Sequence, residues 1–376
     1  MIALAPRRFF AATLLCAASL AAWAQGVTPS TVALGQSAPL SGPAREHGEA
    51  IRNGALAYLR TLNDAGGVHG RRIELATLDD AGDSKRALAN TQRLLEDLRV
   101  FALFGYPEAN VSRELLALVQ QGRAPLFAPV TGARLARQSG RYVVTVRASH
   151  ADEVERVVEH YAQLGLKRFA LVHQEDPAGA EIAQALHGAL RRRSLAAAGA
   201  AALKPGRTGE AVHEALLADP DVILVAAPLA PAADLLRELK RAATPAQLVA
   251  LSLAEPLPLA RALGAAGAGV ALSQVVPPLE RTSLPVVAEY RAALEAETGR
   301  KEYSPASLEA YIAAKVFAEA VRRAGPALTR EALLLALEAM SVYDAGGYAV
   351  GFSRANRQGS SRIELLSIGR DGALLH

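Results

Sequence analysis

The sequence predicts an α/β protein of two lobes, each a doubly wound parallel sheet, and three observations lead there. The chain has 376 residues, more than one ordinary domain and suited to two. Hydrophobic residues make up 51% and charged residues 21%, which supplies real cores and argues against disorder. Along the chain a strand-length apolar run, a polar turn and a longer 3.6-period pattern recur in that order. Such repeated units set strands parallel and cover both sheet faces with helices.

The elements follow in order. Thr31-Val32-Ala33-Leu34 alternates as a strand and enters the loop Gly35–Gly48, and a helical pattern begins near Arg45. Asn63-Asp64-Ala65-Gly66-Gly67 stops that helix, because consecutive glycines supply a left-handed C-terminal turn. Ile73–Leu78 is the next strand, Asp83-Ser84 caps a helix running to about Leu98, and Val100–Phe104 follows as a strand. Phe169–Val172 and Val222–Val225 are strands of a second series. Leu308–Arg323 and Thr329–Met340 read as amphipathic helices, the second opened by Thr329 with Glu331 in its first turn. After Gly346-Gly347, Tyr348–Phe352 and Arg362–Ile368 alternate as strands.

The first 24 residues stand apart. Arg7 and Arg8 precede an uncharged apolar run from Phe9 to Ala22, and Ala22-Trp23-Ala24 offers a cleavage site before Gln25, the pattern of a secretory signal peptide. The run falls short of the ~20 apolar residues that span a bilayer. Arg7-Arg8-Phe9 also faintly matches a twin-arginine export signal. Cys16 is the only cysteine and lies in this segment. The mature chain is therefore expected to lack disulfides, Cys-ligated metals and Cys nucleophiles. Of 41 Lys and Arg, Arg7 and Arg8 leave with the leader, so 39 face 37 Asp and Glu. That near-neutral balance gives no footing for nucleic-acid binding, which needs a clustered basic face. Arg191-Arg192-Arg193 ends a helical pattern, where cations suit the dipole and a solvated face is expected.

The loop Gly35–Gly48 has three readings: nucleophile elbow, phosphate cradle, or a mouth of hydroxyls and amides for a small ligand. Gly35-Gln36-Ser37-Ala38-Pro39 lacks the second glycine of G-x-S-x-G, and no G-x-x-x-x-G-K occurs. Gly264-Ala265-Ala266-Gly267-Ala268-Gly269 reverses the dinucleotide spacing and precedes a strand-like run instead of a helix. None of the eight histidines forms H-x-x-x-H, and Asp79-Asp80 with Asp83 lacks the spacing of a calcium loop. The pattern favours binding over catalysis and implies neither cofactor nor metal.

Gly35-x-x-Ala38-Pro39-Leu40-Ser41-Gly42-Pro43, Asn63–Val68 with Gly70–Leu75, and Asp79-Asp80 together resemble the exported substrate-binding proteins of branched-chain-amino-acid-type ABC transporters. Phe104-Gly105-Tyr106, Pro129-x-Thr131-Gly132-Ala133, Arg141-Tyr142-Val143, Val146–Ser149, Gln274–Pro277 and Ser307-Leu308-Glu309-x-Tyr311 extend the resemblance over the mature chain, notably to the leucine-binding-protein-like branch. It implies a type I periplasmic binding fold, two doubly wound parallel-sheet lobes joined by three crossover strands near Arg147, Val275 and Asp344. Residues 25–146 and 276–344 would form lobe 1, and 147–275 and 345–376 lobe 2. The implied partner is an inner-membrane ABC permease, the location the periplasm, and the working unit a monomer. The same fold could instead serve as a sensory module presenting a ligand to a membrane receptor or kinase. A hydrolase or dehydrogenase on two α/β lobes is the third alternative.

By that resemblance the ligand sits where strand C-termini meet helix N-termini, and Ser41 belongs to the recognition mouth. The loop after Phe104-Gly105, which usually presents small hydroxyls to an amino acid's carboxylate, here reads Tyr106-Pro107-Glu108-Ala109-Asn110. Tyr106, Glu108, Asn110 and Thr131, with Gly132 as a backbone donor, are the lobe 1 candidates. In lobe 2, Ala178 and Pro228 stand where leucine-type binders often carry tyrosines. Asp176, Ser252, at the place of an amine-binding acid, and Glu255 are the polar candidates there. Each has an ordinary alternative: Glu108, Asn110 and Asp176 as helix caps, Thr131 as a turn residue. The expected ligand is an amino acid, amide or small carboxylate; a Glu108 that faces the cleft would turn it toward a neutral or cationic group.

Overall fold

The computed structural model describes residues 25–375; the predicted leader, with Cys16 and Trp23, lies outside them. The first sheet holds β1 (Thr31–Ala38), β2 (Arg72–Asp79), β3 (Ala102–Phe104), β4 (Leu126–Phe127) and β5 (Val143–Val144) in the order β2-β1-β3-β4-β5. All pairs are parallel, with Leu34 of β1 opposite Leu75 of β2 and Ala102 of β3.

The second sheet is built from β6 (Phe169–Gln174), β7 (Ala197–Leu203), β8 (Val222–Ala226), β9 (Gln247–Ala250) and β10 (Ala271–Gln274). The hairpin β11 (Tyr343–Asp344) and β12 (Ala349–Val350) stands apart, and β13 (Glu364–Ile368) and β14 (Leu374–Leu375) complete the order β14-β13-β10-β9-β8-β6-β7. From β7 to β10 the pairing is parallel, while β13 and β14 add an antiparallel edge. All five residues of β8 are buried, as helices on both faces require. This is the α/β architecture of paired parallel sheets that the alternation predicts.

Helix limits follow their caps. Arg45–Asp64 ends before Gly66 and Gly67, both at positive φ, and the Gly67 N–H closes on the Leu62 carbonyl at 2.9 Å. Asp83 accepts from the Arg86 N–H at 2.8 Å and caps Ser84–Glu96, two residues shorter than the pattern suggests. Thr329 accepts from Ala332 at 3.0 Å and opens Arg330–Glu338. Two strands are shorter than their alternation. Val100 bonds back to Leu94 of the preceding helix and Phe101 is the first to donate to β1, at Ala33, so β3 is confined to Ala102–Phe104. Gly351 and Phe352 donate to Gly359 and Met340, which ends β12 at Val350.

Helices Arg45–Asp64 and Pro305–Ala324 pack so closely that a Cβ on Gly54 would lie 1.9 Å from the Ser307 carbonyl oxygen. Beneath them Phe317 meets Phe127 and Phe104 edge-on, with ring centroids 5.3 and 6.4 Å apart. Ala345, Tyr348, Val350 and Phe352 join this same first core. Near Asp344, where the resemblance sets the third crossover, stands the hairpin, with Val350 in the first core and Asp344 and Ala349 exposed. The passage to the second sheet comes between Phe352 and β13, where Gly359 donates to the Thr145 carbonyl at 2.8 Å. Arg191 ends the helix Pro177–Arg191, and Arg192 and Arg193 just past it pair with Glu155.

Candidate ligand-binding cleft

The loops leaving β1, β2 and β3 gather at one edge of the first sheet and are tied to one another. Asp80, fully buried, takes the Ser37 hydroxyl at 2.7 Å, the Asn110 amide at 2.8 Å and the Gly82 N–H at 2.8 Å. Asp79 takes the Ser41 hydroxyl at 2.6 Å and the N–H groups of Leu40 and Ala81 at 2.8 and 2.9 Å. These donors, Ser41 foremost, hold the Asp79 carboxyl at about 2. Of the residues predicted for this mouth, Ser41 thus donates its hydroxyl hydrogen bond to Asp79, and Asn110 donates its amide N–H to Asp80. Tyr106 is fully buried against Leu94, Leu103 and Leu115, with its hydroxyl 3.0 Å from Thr91, and burial drives its ionisation far upward.

Thr131 is buried and closes its own turn, its hydroxyl accepting from Ala133 at 3.0 Å while its carbonyl takes Arg137. The Gly132 carbonyl accepts from the His150 N–H at 3.0 Å, and a Cβ on Gly132 would meet the His150 ring at 2.0 Å. Only glycine lets the two lobes approach so closely here. Asp176 is an exposed cap, accepting from Gly179 at 2.7 Å.

A second cluster lies where the chain first passes between lobes. The Arg147 guanidinium, 8% exposed, donates to Ser252 Oγ at 2.5 Å, to Glu153 at 3.3 Å and to the Ala148 carbonyl at 3.3 Å. Glu153 is fully buried and accepts from the Ser252 N–H and hydroxyl, both at 2.8 Å, and from Ser273 Oγ. Burial pushes the Glu153 carboxyl up, but Arg147, His150 and these donors outweigh it and the net shift is downward. Glu309 stands 3.6 Å from Arg147.

Contacts cross the cleft at several points. His47 Nδ1 lies 3.1 Å from Glu255. Glu108 lies 3.5 Å from His150 Nε2. The Arg134 N–H reaches both oxygens of Glu181 at 2.7 and 2.9 Å. Glu255 occupies the left-handed region at φ 55°, a costly place for a side chain of this size and one that aims its carboxylate at His47.

The cleft therefore gathers Glu108, Gly132, Ser252 and Glu255 from the predicted set, and adds His47, Arg147, His150, Glu153, Ser273 and Glu309. Arg147 and Glu309 sit within motifs that carry the resemblance; nothing local marks His47, Glu153 or Ser273. Among the described residues no group of three His, Cys, Asp or Glu is placed to hold a metal. Two surface hollows, of about 360 and 260 Å³, open at Asp219 and Lys240 and at Gln92 and Arg330, away from this cluster.

Two parallel-sheet lobes with polar loops facing across a cleft define a ligand-binding protein of the two-lobed kind. The chain belongs to the periplasmic binding protein family, whose profile matches residues 31–373. A solved structure described as a possible leucine/isoleucine/valine-binding protein from Rhodopirellula baltica superposes with a TM-score of 0.84 at 26% identity, over 93% of this chain and 97% of that one. A substrate-binding periplasmic protein from Ralstonia solanacearum gives 0.81 at 32% identity, over 92% and 99%. The curated Leu/Ile/Val-binding protein homolog 3 of Brucella melitensis is 23% identical over 44% of this chain, a match spanning less than half, 45%, of that relative.

Proposed function

We propose that this chain is an exported periplasmic solute-binding protein that closes its lobes on a small ligand and, as a monomer and without turnover, delivers it to an ABC permease. The observation that carries the reading is the pair of His–Glu contacts, His47 with Glu255 and His150 with Glu108, which join the lobes directly across the cleft. Groups that meet only when the lobes close make closure a separate state, and a ligand held between them shifts the balance toward it. A ligand that binds only the folded protein also raises the melting temperature by mass action. A thermal-shift screen of amino acids, amides and short carboxylates is expected to give a concentration-dependent rise for at least one class, with the compound recovered unchanged. A broad screen without any rise would remove the solute-capture reading, and turnover of the bound compound would replace it with an enzyme.

A further inference from the structure

Most donors of the cations facing the cleft are engaged, whereas two of its acids, Glu309 and Glu108, have ion contacts only at 3.6 and 3.5 Å. Arg147 gives Nη2 to Glu153 and Ser252 and Nε to the Ala148 carbonyl, while its Nη1 faces Glu309 at 3.6 Å. Arg137 gives Nη1 to the carbonyls of Thr131 and Ala133 and Nη2 to that of Arg147, and its buried Nε has no partner. His47 is held by Glu255.

Among the carboxylates, Glu153 is fully hydrogen-bonded, but Glu309 is not. Its side chain is 10% exposed, and its contact with Arg147 at 3.6 Å is beyond hydrogen-bond distance. Burial, opposed by Arg147 and His47, holds the Glu309 carboxyl above its ordinary range, the mark of a desolvated charge short of compensation. Glu108, on the opposite loop, also acts on Arg147 and stands beside His150. His150 is the independent sign of an incomplete site: it is 1% exposed, and neither ring nitrogen has a hydrogen-bond partner.

We propose that the cleft selects a ligand bearing a cationic nitrogen, a protonated amine or amidine, without a free carboxylate, and that Glu309 and Glu108 receive it beside the imidazole of His150. The inference rests on the solute-capture reading and names its ligand class. A free carboxylate would meet two acids with only the Nη1 side of Arg147, already facing Glu309, to offset them; a cationic nitrogen supplies donors to Glu309, to Glu108 and to the one ring nitrogen of a neutral His150 that accepts.

The test uses the purified protein and calorimetric titration with matched probes on single carbon skeletons: isopentylamine, leucine and isovalerate; agmatine, arginine and 4-guanidinobutyrate. The cation without a carboxylate is expected to bind tightest on any skeleton that binds. Glu309→Gln should weaken it by about tenfold or more, the scale of a lost charge-assisted hydrogen bond, while carboxylate binding holds or improves. Glu108→Gln should change the same ratio in the same direction and carries the test if Glu309→Gln does not fold. A carboxylate or zwitterion that binds tightest, or variants that weaken all probes alike, would overturn this inference and leave solute capture standing. Failure of every probe here, with a hit from another class in the wider screen, would also overturn the inference alone; no binding anywhere overturns both.

Discussion

The polar network around Asp79 and Asp80 and the charged cluster around Arg147 flank the same cleft but are built in opposite ways. In the first, each acid receives three hydrogen bonds from serine, asparagine or backbone donors, and no side-chain cation is needed. Its members come from loops that leave adjacent parallel strands, so pairing of β1 with its neighbours delivers them. In the second, one guanidinium serves two buried carboxylates, Glu153 well and Glu309 poorly, and its parts come from five separate segments between residues 147 and 309. A self-satisfied network fixes the shape of a mouth. One left short of donors is held ready for something else to complete it.

Breaking the Arg147 cluster should have the largest effect. Arg147→Met leaves Glu153 and Glu309 buried without a cation, and the expected loss is about 3–5 kcal/mol, read from chemical denaturation at neutral pH. A loss under a third of that would show that water already reaches the site. Removing Asp80 tests the other network: Asp80→Ala frees Ser37, Asn110 and the Gly82 N–H, with an expected cost of about 1–3 kcal/mol. If Asp80→Ala proved the costlier of the two, the contrast drawn between the networks would be reversed.

The smallest effect is a pH dependence at the lobe contact. Burial depresses the His47 pKa, but Glu255, with Glu309 beyond it, outweighs burial and the opposing Arg147, so the folded value lies above 6.5. A group raised on folding stabilises fully below its unfolded pKa and loses that contribution as pH climbs through the folded one. Stability should therefore decline as pH rises above 6.5, by less than ~1 kcal/mol because the pair is partly exposed. Glu309, also raised, slopes the same way from 4.5 upward, whereas Glu255 is lowered and acts below 4.5. The part of the slope belonging to the contact is the part that His47→Gln removes. An unchanged slope in that variant would assign the decline to Glu309.

Much of the site remained hidden from the sequence for reasons visible in particular residues. Tyr106, Asn110 and Thr131 look like ligand contacts because they are polar residues in loops at strand ends. Yet Tyr106 packs in the core, Asn110 bonds Asp80, and Thr131 closes its own turn. Loop position tells where a side chain starts and not which partner it finds. Asp176 shows the converse, for its cap role was readable from Asp-Pro at a helix start.

The sequence by itself determined the two-lobed α/β architecture, the alternation of strands and helices, and the ends of several helices, because those depend on period, turn residues and caps that neighbouring residues supply. Only the tertiary structure decided that Glu153 and Glu309 share Arg147, that His47 and His150 meet acids of the opposite lobe, and that Tyr343–Val350 forms a hairpin with Val350 in the first core. Those pairings join residues up to 208 positions apart. Burial and charge compensation select them once the two lobes are brought face to face, and no local pattern in the chain encodes that meeting.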